Sequence, residues 1–377
     1  MKHDAAVWEV MGFVLGCLLP AALLGWLAVG LVRRWAEPLG LMDKPGHRKV
    51  HTTPIPLGGG VGIWFSVATT LMVATLLAGL PVVSQWLPES LAQHLPGVVE
   101  SRWKLWAILA GGTVLMLLGL EDDRRGLKWQ WRLAIEVAVA IVVVVSQQMQ
   151  LSLFIDNGWV TGLLSVLWIV GLINAFNMID NMDGLSGGVA AIGSAMLAGM
   201  LLMPHAAGES QPQWFVAAML LVLVGALLGF LVHNRAPAKI FMGDAGAYFV
   251  GYWVAVGSLA ATYTGYQSAT PHAVFAPLCV LAIPLYDMLS VIWIRISEGR
   301  SPFEGDKRHF SHRLVEQGWS KTQAVWIIYL ATFCCGINAW ILPRTDWVGS
   351  LWVLANLLGI LGLLALLDLG THRTPKR

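Results

Sequence analysis

Charge is what this chain has least of. Asp, Glu, Lys and Arg make up 12% of its 377 residues, about half their usual share in soluble proteins. That scarcity excludes a disordered chain, which needs high charge and low hydrophobicity. It also argues against a water-soluble globule. Hydrophobic residues reach 56% and the mean hydropathy is +0.66, so a water-facing surface would carry large apolar patches. Cysteine is scarce too. Cys17, Cys279, Cys334 and Cys335 lie in apolar stretches, without metal-site spacing or a secreted disulfide pattern, and read as small buried hydrophobes. The net charge of +2 gives no reason to expect nucleic acid as a partner. No internal repeat and no separate soluble domain are visible, so residues 1–377 read as a single membrane-embedded domain.

What is abundant is apolar sequence. A membrane-spanning helix needs roughly 20 mostly apolar residues. Eleven such segments stand out, at about 7–32, 58–80, 105–120, 133–150, 160–175, 185–203, 214–232, 245–264, 272–294, 323–342 and 348–369. Helices are the sensible reading, because a membrane barrel would show alternating ten-residue strands. The expected fold is all-α: a polytopic membrane protein of about eleven transmembrane helices in the lipid bilayer. The stretch Val14-Leu15-Gly16-Cys17 loosely resembles a lipoprotein cleavage site, but the apolar run continues to Val32 and Leu15 is bulky for that motif. A retained first span is expected. Residues 81–104, with Pro81, Pro88 and Pro96, read as a plain connector, as do residues 204–213. The 19 tryptophans read as interfacial anchors and packing.

Basic residues set the expected orientation. The loops 33–57, 121–132, 174–184, 233–244 and 295–322, with the tail from 370, hold 20 of the 24 Lys and Arg residues. Positive charge marks the cytoplasmic side. These loops and the C-terminus are therefore expected on the cytoplasmic side and the N-terminus outside.

The same loops concentrate polar chemistry. The first runs Asp43-Lys44-Pro45-Gly46-His47-Arg48-Lys49-Val50-His51 and leads to Gly58-Gly59-Gly60. Three glycines at a helix start permit close backbone approach and leave N–H groups for an anion. A basic topological loop with a glycine turn accounts for it as well. The second cluster, Glu121-Asp122-Asp123-Arg124-Arg125, ends the third span. Adjacent carboxylates repel unless a cation intervenes, and acids here oppose the helix dipole. The third, Asn174-Ala175-Phe176-Asn177-Met178-Ile179-Asp180-Asn181-Met182-Asp183-Gly184, has no basic residue. Asn177, Asp180 and Asp183 recur at spacing three, on one side of a helix. Their oxygens suit Mg²⁺, and acids at membrane depth are functional by default.

The fourth cluster, Lys239-Ile240-Phe241-Met242-Gly243-Asp244-Ala245-Gly246, sets one Asp among glycines. It reads equally as an N-cap. The fifth runs from Pro284-Leu285-Tyr286-Asp287 to Asp306-Lys307-Arg308-His309-Phe310-Ser311-His312-Arg313. It suits phosphate recognition better than zinc, since nothing completes a His309–His312 site. Oxygen ligands on two loops and basic groups on others suit a divalent metal holding a pyrophosphate. The residues alone thus point to metal-assisted phosphoryl chemistry on a lipid at the cytoplasmic face.

At these residues the sequence resembles the polyprenyl-phosphate N-acetylhexosamine-1-phosphate transferases. The resemblance covers about 40–320 in motif order. It rests on Asp122-Asp123, on Asn174-Ala-Phe-Asn177-Met-Ile-Asp180 with Asp183-Gly184-Leu185, on Phe241-Met242-Gly243-Asp244-Ala245-Gly246, and on Ser301-Pro302 leading to Asp306, His309 and His312-Arg313-Leu314. The run Asp43-Lys-Pro, Arg48-Lys49, His51 and Ile55-Pro56-Leu57-Gly58-Gly59 is similar to the undecaprenyl-phosphate GlcNAc-1-phosphate transferase branch. The phospho-MurNAc-pentapeptide branch, the alternative within the family, carries a different first loop and three consecutive histidines. Two departures stand out. Asn181 replaces a glycine in the family's Asp-Gly-x-Asp-Gly run, where Asn is expected to tolerate a left-handed backbone. Ser311 replaces one imidazole of a His-x-His-His loop, which bears on sugar preference.

The resemblance implies transfer of a sugar 1-phosphate from a UDP-N-acetylhexosamine to polyprenyl (undecaprenyl) phosphate, with release of UMP, as the initiating step of cell-surface glycan synthesis. It implies Mg²⁺, or Mn²⁺, held by Asp244 with Asn177 as a second ligand. Asp183 would bind the uridine end, with Asp180 in support and Asn174 in the same substrate-binding run. Asp122 and Asp123 would be the catalytic pair, near the metal and the lipid phosphate, one of them orienting the acceptor. Lys49 would lie at the phosphates, and His309, His312 and Arg313 near the pyrophosphate or sugar. One chain holds every motif, so a homodimer is compatible but not required. A secondary transporter fits less well, since its ionisable groups would sit near the midplane with repeat symmetry. A lipid-anchored assembly factor with a dead site would not need the intact acidic motifs.

Overall fold

The computed structural model describes residues 2–43, 54–149, 151, 155, 157–203, 212–261, 271–305 and 308–369. The long helices are α1 (Lys2–Trp35), α2 (Gly59–Ala78), α5 (Leu95–Arg125), α6 (Trp129–Gln147), α7 (Gly158–Ile179), α8 (Leu185–Leu202), α9 (Trp214–Asn234), α10 (Gly243–Ala260), α12 (Ala282–Ser297), α14 (Lys321–Ile341) and α15 (Trp347–Leu369). Short helices α3 (Pro81–Trp86), α4 (Glu89–Ala92), α11 (Ala276–Val280) and α13 (Phe310–Glu316) fill the connections. Besides two short 3-10 turns at Pro271–Phe275 and Leu342–Arg344, the described residues hold one two-residue antiparallel ladder. In it, β1 (Met42–Asp43) pairs with β2 (Ile55–Pro56), Met42 opposite Pro56.

Every apolar stretch of the sequence lies on a helix or a helix pair. Nine helices among the described residues are long and apolar enough to cross a membrane, which makes this a multi-pass membrane protein. The stretch at 272–294 is broken, and its two parts meet at 69°. Pro284 explains the break: it has no N–H to donate to the carbonyl of Val280, so the helical ladder is interrupted there. Helix α10 is not among the nine. Other helices enclose it, with Phe249, Tyr252 and Trp253 fully buried, so lipid does not select its composition. The segment 81–104 is not a plain connector. It forms α3, α4 and the first turns of α5, because Pro81 and Pro96 occupy first-turn positions where a missing N–H costs nothing.

Helix α10 is the hub, packed against α5 and α7, with α2 beside it; α1, α8 and α9 pack next to these, and α14 against α8. Two contacts are backbone to backbone. A Cβ on Gly60 of α2 would lie 2.0 Å from the Gly246 nitrogen, and one on Gly119 of α5 would lie 2.4 Å from the Asp244 carbonyl oxygen. Both glycines fix α10 at its N-terminal end. The outward flanks of α1 and α15 expose Leu and Trp side chains, Trp8, Trp26, Trp347 and Trp352 among them, as lipid-facing helices do.

Candidate active site

Four of the polar clusters are joined directly by hydrogen bonds. Asp123, in the last turn of α5, accepts from the Asp244 N–H at 2.9 Å through Oδ1 and from the Ala245 N–H at 3.2 Å through Oδ2. One carboxylate thus caps the first turn of α10 from another helix. Gly243 precedes Asp244 with φ of +73°, and a Cβ there would meet Asp123 Oδ2 at 2.5 Å. Glycine is required at that point for both reasons. Asn177, in the last turn of α7, donates through Nδ2 to Asp244 Oδ1 at 2.5 Å. Asp123, Asn177 and Asp244 therefore converge from three helices.

Asp122 adjoins Asp244 but is held by partners of its own. It is 6% exposed. Its Oδ1 accepts from the Leu127 N–H at 2.7 Å, and its Oδ2 from Arg132 Nη1 at 2.7 Å and the Tyr248 hydroxyl at 2.8 Å. Arg132 is ion-paired with it. This carboxylate locks the α5–α6 turn to α10. Asn174 donates to Glu136 Oε2 at 2.6 Å and to the Val170 carbonyl at 3.0 Å, so its amide ties α7 to α6.

The turn between α7 and α8 carries the next acids. Asp183 Oδ2 accepts from the Ala238 N–H at 3.0 Å. Asp180 lies close enough to Asp123 and Asp183 for their charges to act on it. Burial, and then those two carboxylates, push its pKa up to about 7. Buried Asn234 clamps the turn, accepting from the Gly184 N–H at 2.9 Å and donating to the Ile240 carbonyl at 2.8 Å.

The fifth cluster is held from below. Asp287 of α12 bonds His309 Nδ1 at 2.9 Å through Oδ2 and accepts from the Phe310 N–H at 2.7 Å through Oδ1. The His312 ring lies 6.4 Å from that of His309. Arg313 is turned inward, 4% exposed. It donates to Ser290 Oγ at 3.0 Å and to the Arg308 carbonyl, with Phe310 beneath its guanidinium. Ser311 Oγ donates to Asn181 Oδ1 at 2.5 Å, which joins this cluster to the α7–α8 turn.

Three expectations change. Asn177, Asp180 and Asp183 do not share a helix face, because α7 ends at Ile179 and both acids lie in the α7–α8 turn. The glycine N–H groups at the start of α2 are not left for an anion: Gly59 and Gly60 donate to the carbonyls of Phe241 and Met242, each at 2.9 Å. The glycines bring the first loop to the α9–α10 connection rather than to a ligand. Nor does Asn181 stand in for glycine in a left-handed backbone, since Gln148 is the one non-glycine residue with positive φ among the described residues. Lys49, with Arg48, His51 and Asp306, lies outside the described residues, as does the tail from 370.

Arg132, Glu136, Asn234 and Tyr248 were not singled out by sequence. Glu136 had a usable signal, an acid inside an apolar run. Arg132 was hidden among topological basic residues. Asn234 and Tyr248 show their roles only once distant segments meet.

Known proteins match this chain in sequence. Residues 105–262 match the glycosyl transferase family 4 description. A probable undecaprenyl-phosphate N-acetylglucosaminyl 1-phosphate transferase of Bacillus subtilis is 32% identical over 344 residues, 89% of this chain and 86% of that protein. The decaprenyl-phosphate N-acetylglucosaminephosphotransferase of Mycobacterium tuberculosis is 33% identical, over 83% of this chain and 78% of its own. The undecaprenyl-phosphate alpha-N-acetylglucosaminyl 1-phosphate transferase of Escherichia coli K12 is 30% identical, over 79% and 76%. With relatives this similar over most of its length, and with the motif residues brought together at one end of the helices, the chain belongs to the polyprenyl-phosphate N-acetylhexosamine-1-phosphate transferases of glycosyl transferase family 4.

Proposed function

We propose that this protein transfers N-acetylhexosamine 1-phosphate from a UDP-sugar to a polyprenyl phosphate, releasing UMP, with its site on the cytoplasmic face of a bacterial inner membrane. The observation that carries the reading is the convergence of Asp123, Asn177 and Asp244 from three helices. Family membership and the relatives' names supply the substrate classes. The 20 basic residues on one set of loops support eleven spans, an N-terminus outside and the C-terminus inside.

A lipid phosphate oxygen attacks the phosphorus that bears the sugar. The P–O bond to UMP breaks, and the product is a polyprenyl-diphosphate sugar. A phosphate monoester has a second pKa near about 6, so the nucleophile is largely ionised at neutral pH and a general base is optional. The harder task is to bring two anions together. On this reading His309, oriented by Asp287, presents its free ring nitrogen to the donor phosphates. Asp180 and Asp183 face the uridine end. Asp123 keeps the start of α10 in place, so that Asp244 points at the reacting phosphates.

No three Asp, Glu, His or Cys side chains among the described residues gather closely enough to hold a metal by themselves. One carboxylate beside one amide is still a donor set that fits Mg²⁺, which is held by one or two carboxylates together with substrate phosphates and water. Asp244 and Asn177 would hold the ion. Bound there, Mg²⁺ neutralises phosphate charge as a Lewis acid.

The test is UMP release by purified protein in detergent, with undecaprenyl phosphate, Mg²⁺ and a panel of UDP-sugars. Release with an N-acetylhexosamine donor, lost without lipid, without metal or in Asp244→Ala, is the expected result. Silence with every donor, in protein that remains folded, overturns it.

A further inference from the structure

The two positions at which the sequence departs from the resembled family's pattern touch each other. Asn181 stands where that pattern has glycine, and Ser311 where it has histidine. They are 130 residues apart in sequence, and the Ser311 hydroxyl donates to the Asn181 amide oxygen at 2.5 Å. Asn181 is not there for its backbone, which has no positive φ. Its side chain is oriented from the other end: Nδ2 donates to the Met178 carbonyl at 2.9 Å, which turns Oδ1 toward Ser311. Ser311 is 1% exposed, so its hydroxyl is committed to the bond and does not itself reach a substrate.

The bond joins two segments with different chemistry. On one side Asn181 sits between Asp180 and Asp183. On the other, Ser311 sits between His309 and His312. Asp287 anchors the second segment from below through His309 and the Phe310 N–H, and Asn234 anchors the first through Gly184. The Asn181–Ser311 bond links the two segments directly. A histidine at 311 would be larger and would carry a second polar nitrogen. The Ser–Asn bond replaces it with a short, neutral link.

We propose that Asn181 and Ser311 form one clasp that sets the spacing between the Asp180–Asp183 turn and the His309–His312 turn, and thereby selects among nucleoside-diphosphate-sugar donors. This rests on the transferase reading above. Both are positioning residues. Their effect belongs on the donor, not on the lipid acceptor, because the groups they space apart are those assigned to the donor. Small displacements of positioned groups are costly in such sites.

The experiment is a double-mutant cycle on the purified full chain, using Ser311→Ala, Asn181→Ala and the double variant. KM and kcat are measured for UDP-GlcNAc, UDP-GalNAc and undecaprenyl phosphate, and thermal unfolding for each protein. Each single substitution is expected to raise the donor KM by about tenfold, the size of one lost buried hydrogen bond. The preference between the two donors should shift severalfold, and the lipid KM should hold. The double variant should be no worse than the worse single one, because the two act as a unit. Independent, multiplying effects of the two substitutions overturn the clasp while leaving the transferase reading intact. So do wild-type donor kinetics in Ser311→Ala, or equal losses for donor and lipid that follow a lowered unfolding temperature. A wild-type protein that is folded yet inactive with every donor overturns the transferase reading, and with it the assignment of the clasp to a donor.

Discussion

Asp180 is the residue whose surroundings make the clearest demand. Its half-buried carboxyl lies near Asp123 and Asp183, and its pKa is raised to about 7 against an ordinary value near about 3.9. A carboxyl held above its unfolded pKa favours folding while it stays protonated. That contribution is present at low pH and is lost as pH rises through about 7, where the folded protein must hold a third negative charge. In a metal-free sample, wild type is therefore expected to lose thermal stability progressively from about pH 4 to about pH 7 and to level off above that. Asp180→Asn should flatten that loss and unfold at the higher temperature at the alkaline end. Equal slopes for the two proteins, followed by tryptophan fluorescence with a chelator present, would show that Asp180 ionises freely in the fold. Asp287 makes a different demand. It touches no reacting atom but holds His309 by Nδ1. Partners that orient metal-bound imidazoles contribute about 10- to 100-fold, and an effect of the same order is expected for an imidazole facing phosphates. Asp287→Asn is expected to lower kcat within that range, with little change in unfolding temperature. A wild-type rate would remove His309 from the donor site.

At the scale of elements, the site depends on how closely α5 and α2 approach α10. Gly119 has no room for a methyl group: its Cβ would sit 2.4 Å from the Asp244 carbonyl oxygen. Overpacking of this kind costs about 1–3 kcal/mol in a close-packed interior. Here it also lifts the last turn of α5, which carries Asp123, away from the helix start that Asp123 caps. Gly119→Ala is expected to lower both the unfolding temperature and UMP release, whereas Gly162→Ala, on a surface with open space around it, should change neither. If both variants behaved like wild type, the α5–α10 contact would not be holding the site.

The helices themselves were legible from hydropathy, because lipid forces a continuous apolar run on any exposed span. Two elements were not read correctly, for physical reasons. The start of α5 escaped a hydropathy reading because Pro96, Gly97, Glu100, Ser101, Arg102 and Lys104 interrupt the apolar run before Leu105. The prolines of residues 81–104 were read as breaks although they stand at helix starts. Within the site, Asp123, Asn177 and Asp244 were legible as acids and amides stranded at span ends. The fixed partners of Asp122 were not, since the Arg132 and Tyr248 contacts exist only after α5, α6 and α10 have packed.

For the whole molecule the open physical question is which end faces the cytoplasm. The hydrogen bonds from the Asp244 N–H to Asp123, from Asn177 to Asp244, from Asn234 to the Ile240 carbonyl and from Ser311 to Asn181 place the motif-bearing loops together at one end of the helices. That end is also where Lys and Arg concentrate, 20 of 24 by sequence position. A bias of that size in short loops sets orientation during insertion, because basic residues are retained on the cytoplasmic side. The chemistry requires the same placement, since a nucleotide-sugar donor is a cytoplasmic metabolite class and UMP has to leave into the same compartment. A fluorescent-protein fusion at the C-terminus, which matures only in the cytoplasm, should therefore glow. An alkaline-phosphatase fusion at the same point should be inactive, while one placed after α14, in the short connection near Arg344, should be active. The reverse pattern would turn the acidic site toward the outside, where no nucleotide sugar reaches it, and would remove the transferase reading however well the motifs match.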